Sequence, residues 1–204
     1  MLIAFEGLDQ SGKETQALLL ADALRSAGSR VECLSFPDYS TPIGREIAEA
    51  LAGRREFGPD VLQLLYIANR YEHKPRIVDW LAAGAIVLCD RYLASSIAYG
   101  ESEGLEPSWL ADAQRHLPAP DLTFVLDISP ETAVRRKETN RDRFERDLAL
   151  LARVRESYRR QAQAEAWRLV DGERTKDEIQ RAIRKEVVAR VGGRRTGPTG
   201  PSGC

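Results

Sequence analysis

Residues 7–15 read GLDQSGKET, and residue types at this spacing suit one kind of chemistry, the holding of nucleotide phosphates. Gly7 and Gly12 bracket four residues, and Lys13 follows. Glycines let a backbone fold into a nest of N–H groups around phosphate oxygens, and a helix starting there adds its partial positive charge. The candidate nucleotide-binding stretch is therefore Gly7, Leu8, Asp9, Gln10, Ser11, Gly12, Lys13, Glu14 and Thr15, with Lys13 neutralising the outer phosphates. A plain Gly-rich turn between strand and helix is the competing reading. One residue departs from the pattern: Glu14 stands where a Ser or Thr hydroxyl would meet Mg²⁺, and Thr15 comes one position too late. Phosphate anions would repel the Glu14 carboxylate, so it is expected to face solvent in the first helical turn, where negative charge is favoured. A metal ion would then rest on phosphates, water and a carboxylate from elsewhere. Asp9 in the loop and Asp90, just after AIVLC (85–89), are the carboxylates placed for it.

Further chemistry-bearing residues lie downstream. CDRYLASSIAYG (89–100) puts the Asp90 carboxylate beside the Arg91 guanidinium, a group suited to phosphate, although a structural Asp–Arg pair would read the same way. In LLYIANRYEH (64–73), Tyr66 and Arg70 are four residues apart on one helix face. That pair could stack on a base and bond its edge, or be a core tyrosine and a surface arginine. Segment 135–160 holds ten Lys/Arg and five Asp/Glu, a local balance of 10 − 5 = +5. Within it KETNRDRFERD (137–147) is a polar interruption between helical stretches, as a closing lid would be. Arg146, Arg155 and Arg159 read as a solvated helix face.

The elements that must position these residues alternate short apolar runs with longer helical ones. Strands are expected at LIAFE (2–6), VECLSF (31–36), AIVLC (85–89), LTFVLD (122–127) and WRLV (167–170). Ala17, Leu20, Ala21 and Leu24 follow helical spacing after the loop, with Gly28 as the cap. Pro130 opens another helix, and Thr175 caps TKDEIQRAI. Five apolar strands separated by helices predict an α/β fold with a parallel sheet covered on both faces. At 204 residues the chain suits one domain, expected over 1–191, while 192–204 reads as a disordered Gly/Pro-rich tail. A formal net charge of −1 argues against a nucleic-acid partner. None of the three cysteines has metal or redox spacing, no apolar stretch is long enough to span a membrane, and the start leaves no room for a signal peptide, so a cytoplasmic location is expected.

Taken in order, FEGLDQSGKETQ, FPDYSTPIG, LLYIANRYEH, DRYLASSIAYG, PDLTFVLDISPETAVRR and DRFERD resemble the thymidylate kinases over roughly residues 1 to 190. These are P-loop nucleoside monophosphate kinases that convert dTMP to dTDP with ATP. The resemblance implies a P-loop NTPase fold with strand order 2-3-1-4-5, a mobile lid and a homodimer. It also implies roles for single residues. Tyr66, usually Phe in the family, would stack on thymine, and Arg70 would bond the base edge. Tyr39 and Arg91 would hold the acceptor phosphate beside Phe36, Asp9 would meet the 3′-hydroxyl, and Ser96 and Tyr99 would line the pocket. Gly100, at a position variable in the family, leaves little to interpret. The family draws a catalytic arginine from the loop or the lid; with Gln10 in the loop, Arg141 and Arg143 become the candidates. The expected reaction is therefore phosphoryl transfer from ATP to dTMP with Mg²⁺. Kinases for UMP/CMP or AMP, or a nucleotide-sensing regulator, are the rival readings.

Overall fold

The computed structural model describes residues 1–136 and 147–194. Its centre is β1 (Leu2–Glu6), buried along its whole length, as a strand inside a doubly covered parallel sheet must be. β1 pairs with β3 (Ile86–Asp90) on one side and β4 (Leu122–Asp127) on the other. Outside these lie β2 (Val31–Ser35) and β5 (Trp167–Asp171), giving the expected order β2-β3-β1-β4-β5 with every pair parallel.

Two helices, α1 (Lys13–Ser26) and α8 (Lys176–Arg194), pack against one face of the sheet. The strand period of two sends Ile3 and Phe5 to that face and Leu2 and Ala4 to the other. Phe5 stacks on Phe124 with ring centroids 5.6 Å apart. The remaining helices are α2 (Pro42–Leu51), α3 (Pro59–Ala82), α4 (Leu93–Ser102), α5 (Pro107–Gln114), α6 (Pro130–Arg136) and α7 (Leu148–Gln161). Of these, α2, α3, α4, α6 and α7 carry residues of the two other apolar clusters.

The local signals behave as their chemistry dictates. Ala17, Leu20, Ala21 and Leu24 are the buried apolar stripe of α1, and Gly28 follows the helix at φ +82°. At the start of α8, the Thr175 amide donates to Glu178 Oε2 at 3.1 Å while the Glu178 amide donates to Thr175 Oγ1 at 3.4 Å. This reciprocal pair closes the helix end. The helix then runs to Arg194, so the tail boundary set at 192 falls inside it. Glycine weakens a helix by about 1 kcal/mol and does not by itself end one.

Gly100 proves informative. A Cβ there would lie 2.6 Å from Leu110 Cδ1 and 3.2 Å from Gln63 Cγ, so the missing side chain lets α4 sit close against α3 and α5. Cys33 and Cys89 are unpaired, and Cys89 is buried. No helix among the described residues is long and apolar enough to cross a membrane. The expected lid, 137–147, lies outside the described residues except for Asp147, and Arg141, Arg143 and Arg146 lie outside with it. Asp147 caps α7, its Oδ1 accepting from the Leu150 amide at 3.0 Å.

Candidate active site

The loop from β1 to α1 leaves the carboxyl end of the sheet, where open parallel sheets bind ligands. Gly7 sits at φ +133°, and a Cβ there would come 2.5 Å from the Leu126 carbonyl oxygen of β4. Only glycine allows the loop to turn that close to its neighbour. Asp9 to Thr15 line a cavity together with Asp90, Arg136, Gly172, Arg174, Lys176 and Ile179. Gly7 and Leu8 shape the loop without lining this cavity: Leu8 turns its side chain into the core, and its carbonyl accepts from Lys13 Nζ at 2.8 Å. Glu14 is exposed, as expected for a side chain at the helix start.

Lys13 is 5 % exposed, and its pKa falls from 10.5 to about 8. Burial is the main cause, the nearby Arg91 charge adds to it, and Asp9 and Asp90 oppose it. Asp90, the last residue of β3, carries a buried Oδ1 with no hydrogen-bond partner among the described residues. A buried carboxylate oxygen without a donor, lining the same cavity as Lys13, is chemically suited to a hard cation or its water. No cluster of three or more metal-ligating side chains exists among the described residues, so phosphates and water would have to complete such a site.

A second cavity opens beside the first. Asp9, Phe36, Tyr39, Tyr66, Arg70, Arg91, Ser96 and Tyr99 all line it, joined by Pro37, Leu51, Gln63 and Ser95. Asp9 is the residue common to both linings. Arg70 is 2 % exposed, which removes the surface-arginine alternative. Its Nη1 donates to Ser96 Oγ at 2.7 Å and Gln114 Oε1 at 3.3 Å, while its Nε has no partner among the described residues. Burial lowers the Arg70 pKa, and Glu6 opposes that effect.

Arg91 adopts φ +61°, a backbone conformation that side chains seldom take. Its Nη2 donates to Asp9 Oδ1 at 2.6 Å and to Tyr99 Oη at 3.3 Å, and its Nη1 to Ser95 Oγ at 3.1 Å. Burial alone would lower its pKa, but contact with Asp9 carries it well above the usual value. The charge therefore stays in place at the junction of the two cavities.

Deeper still, the fully buried Glu6 accepts from the Tyr92 amide at 2.8 Å and from Ser95 Oγ at 2.6 Å. Tyr158 of α7 lies 2.9 Å from Ser95 Oγ and receives Arg91 Nη1 at 3.4 Å. Helix α7 thus reaches the arginine of the DRY stretch. The connection carrying Phe36 and Tyr39 is held by Asn69 of α3. Its Oδ1 accepts from the Asp38 amide at 2.8 Å, and its Nδ2 donates to Thr41 Oγ1 at 2.9 Å.

Several of these residues escape a reading of the sequence. Gln63 lacks a motif, and Arg136, Arg174 and Lys176 converge only through the fold. Arg136 donates to the Gln10 carbonyl at 3.2 Å and the Gly172 carbonyl at 3.0 Å, tying the end of α6 to the phosphate loop. Arg155, expected on a solvated face, instead grips Asp127 at 2.6 and 2.8 Å, with Arg159 3.5 Å away. The carboxylate at the end of β4 converts part of that charged face into an anchor for α7.

Comparison with known proteins agrees with this geometry. The thymidylate kinase family model matches residues 5–183. A thymidylate kinase of Dictyostelium discoideum is 32% identical over 184 residues, covering 90% of this chain and 82% of the relative. One from Thermomicrobium roseum is 39% identical over 180 residues, covering 83% and 85% respectively. The thymidylate kinase of Candida albicans superposes with a TM-score of 0.80 at 31% identity, covering 93% of this chain and 91% of that one. With a matched model spanning most of its length, five parallel strands in the expected order and a phosphate loop opening α1, the chain belongs to the thymidylate kinase family.

Proposed function

We propose that the two cavities hold the two substrates of one reaction, transfer of the γ-phosphoryl group of ATP to dTMP, giving ADP and dTDP. The observation that carries this reading is the shared wall: Asp9 lines both cavities and is paired with Arg91. Donor and acceptor phosphates bound on either side would meet there. The Asp9–Thr15 loop wraps the ATP phosphates, and Lys13 follows the transferring group. Arg136, Arg174 and Lys176 face the rest of that nucleotide. Tyr66 and Arg70 take the thymine, and Tyr39 and Arg91 take the dTMP phosphate. The acceptor phosphate is already an anion, so no general base is required; the work is orientation and the neutralising of charge.

Asp90, supported by Asp9, would hold Mg²⁺ through the buried Oδ1, and the ion would draw negative charge from the ATP phosphates when bound. Arg141 and Arg143 are proposed to bring further positive charge as the lid closes. A cytoplasmic homodimer completes the reading, with sedimentation as the check on its assembly.

The reading is tested by coupling ADP release to a spectroscopic signal while supplying each nucleoside monophosphate in turn. ADP release that depends on dTMP is expected, with UMP, CMP and AMP far poorer. ADP formation independent of any acceptor would instead identify a hydrolytic or sensing protein.

The buried lysine predicts a pH dependence. Above pH about 8 the free protein loses the Lys13 charge, so kcat/KM for ATP is expected to fall as pH rises through that value. Saturating ATP should shift this fall to higher pH, because bound phosphates favour the charged amine. Stability runs the opposite way. A folded pKa below the unfolded one means that the unfolded chain binds more protons between pH about 8 and 10.5, so the Lys13 contribution to stability rises across that window. Rate profiles at low and saturating ATP, with thermal unfolding at the same pH values, check both signs.

A further inference from the structure

The thymine end of the acceptor cavity contains an amide with nothing to bind. Gln63 of α3 is 1 % exposed, and neither its Oε1 nor its Nε2 has a hydrogen-bond partner among the described residues. It lines the same cavity as Tyr66, Arg70 and Ser96. Leaving both ends of a buried amide unsatisfied is costly, and such groups are uncommon in folded proteins. Packing alone does not account for it. Gln63 Cγ fills space beside Gly100, a task an apolar side chain of the same length would perform without burying two polar atoms.

We infer that Gln63 is a specificity-determining residue that reads the imide edge of the thymine base, its Oε1 accepting from N3–H and its Nε2 donating to a neighbouring ring carbonyl. The complementarity follows from the donors nearby. Arg70 can only donate, and its Nε has no partner among the described residues, so it suits a ring carbonyl and rejects an exocyclic amine. It cannot receive the N3 proton. Ser96 Oγ already accepts from Arg70 at 2.7 Å, and the Asp9 carboxylate already accepts from Arg91 at 2.6 Å. Gln63 Oε1, unlike Ser96 Oγ and the Asp9 carboxylate, has no donor among the described residues, and its amide places a donor beside that acceptor, as an imide requires. A base thus supplies the partners that the fold withholds.

This inference rests on the assignment of dTMP to the second cavity, and the test separates the two. Gln63→Met keeps the length and volume of the side chain and removes both polar atoms. Thermal unfolding and steady-state kinetics would be measured for the wild-type chain and this variant, with dTMP and N3-methyl-dTMP as acceptors. The wild type should use dTMP and reject the methylated nucleotide by roughly 100-fold or more in kcat/KM, since its Gln63 would be left unpaired. In Gln63→Met the KM for dTMP should rise about tenfold, with kcat little changed, and the discrimination should shrink to within about tenfold. The free variant should also unfold at a temperature equal to or above that of the wild type, because an unsatisfied buried amide is gone. Undiminished discrimination in Gln63→Met, or an unchanged KM for dTMP, would overturn the role of Gln63 while leaving the kinase reading intact. Wild-type protein without dTMP-dependent turnover would overturn the kinase reading itself.

Discussion

Lys13→Met is expected to lower kcat by on the order of 10³-fold while leaving the protein at least as resistant to heat as the wild type. The two effects share one cause. Lys13 is nearly enclosed, and its charge is disfavoured enough to bring the pKa to about 8. A cation kept in such a place weakens the fold, and it is tolerable because bound phosphates restore what burial removes. Methionine retains the aliphatic stem and deletes the charge, so folding loses little and the transfer loses a cation that lines the donor cavity. In the free protein the amine rests on the Leu8 carbonyl at 2.8 Å, a contact the mutation gives up at modest cost. Coupled kinetics at saturating ATP and dTMP, together with a thermal melt, decide the matter. Turnover within tenfold of the wild type would remove Lys13 from the transfer step.

How far the sequence alone carries can be judged residue by residue. The sheet was legible because its three inner strands are apolar on both faces and its elements are set off by helical spacing, cap residues or proline. The phosphate loop was legible for a similar reason: glycines at fixed separation before a lysine have few other uses. All eight residues expected around the acceptor line a single cavity; Tyr66, Arg70 and Arg91 could be singled out by residue type and spacing, whereas Phe36, Tyr39, Ser96 and Tyr99 came from the family likeness alone. Spacing could place Arg70 beside Tyr66 on a helix, yet it could not show the residue buried against Ser96 and Gln114.

What stayed hidden depends on distant segments meeting. Arg155 and Arg159 look like any charged helix until Asp127, 28 residues before Arg155, is placed beneath them. Arg136 reaches the Gln10 carbonyl across 126 residues of chain. Glu6 reads as a strand terminus, and only the fold brings Tyr92, Ser95 and Tyr158 around its carboxylate. Gln63 is hidden for the opposite reason, since what marks it is the lack of a partner.

Arg91→Ala should lower kcat/KM for dTMP by roughly 10²- to 10⁴-fold and leave ATP binding largely intact, because the guanidinium lines the acceptor cavity and not the donor cavity. Loss of a charge-assisted contact to phosphate costs about 1.5–3 kcal/mol, which accounts for the lower end of that range. The remainder would come from Asp9. In the intact protein that carboxylate is matched by Arg91 at 2.6 Å; without the guanidinium, a less compensated negative charge faces both incoming phosphates. Arg91→Lys separates the two contributions. An ammonium keeps a positive charge near Asp9, but it cannot span Asp9, Ser95 and Tyr99 as the planar fork does. Its defect should therefore be intermediate and appear mainly as a raised KM for dTMP. Calorimetric titration with a non-hydrolysable ATP analogue verifies the donor site in each variant. If both variants kept the wild-type dependence on dTMP concentration, Arg91 would be confined to supporting the loop, and the acceptor phosphate would have to rest on other side chains.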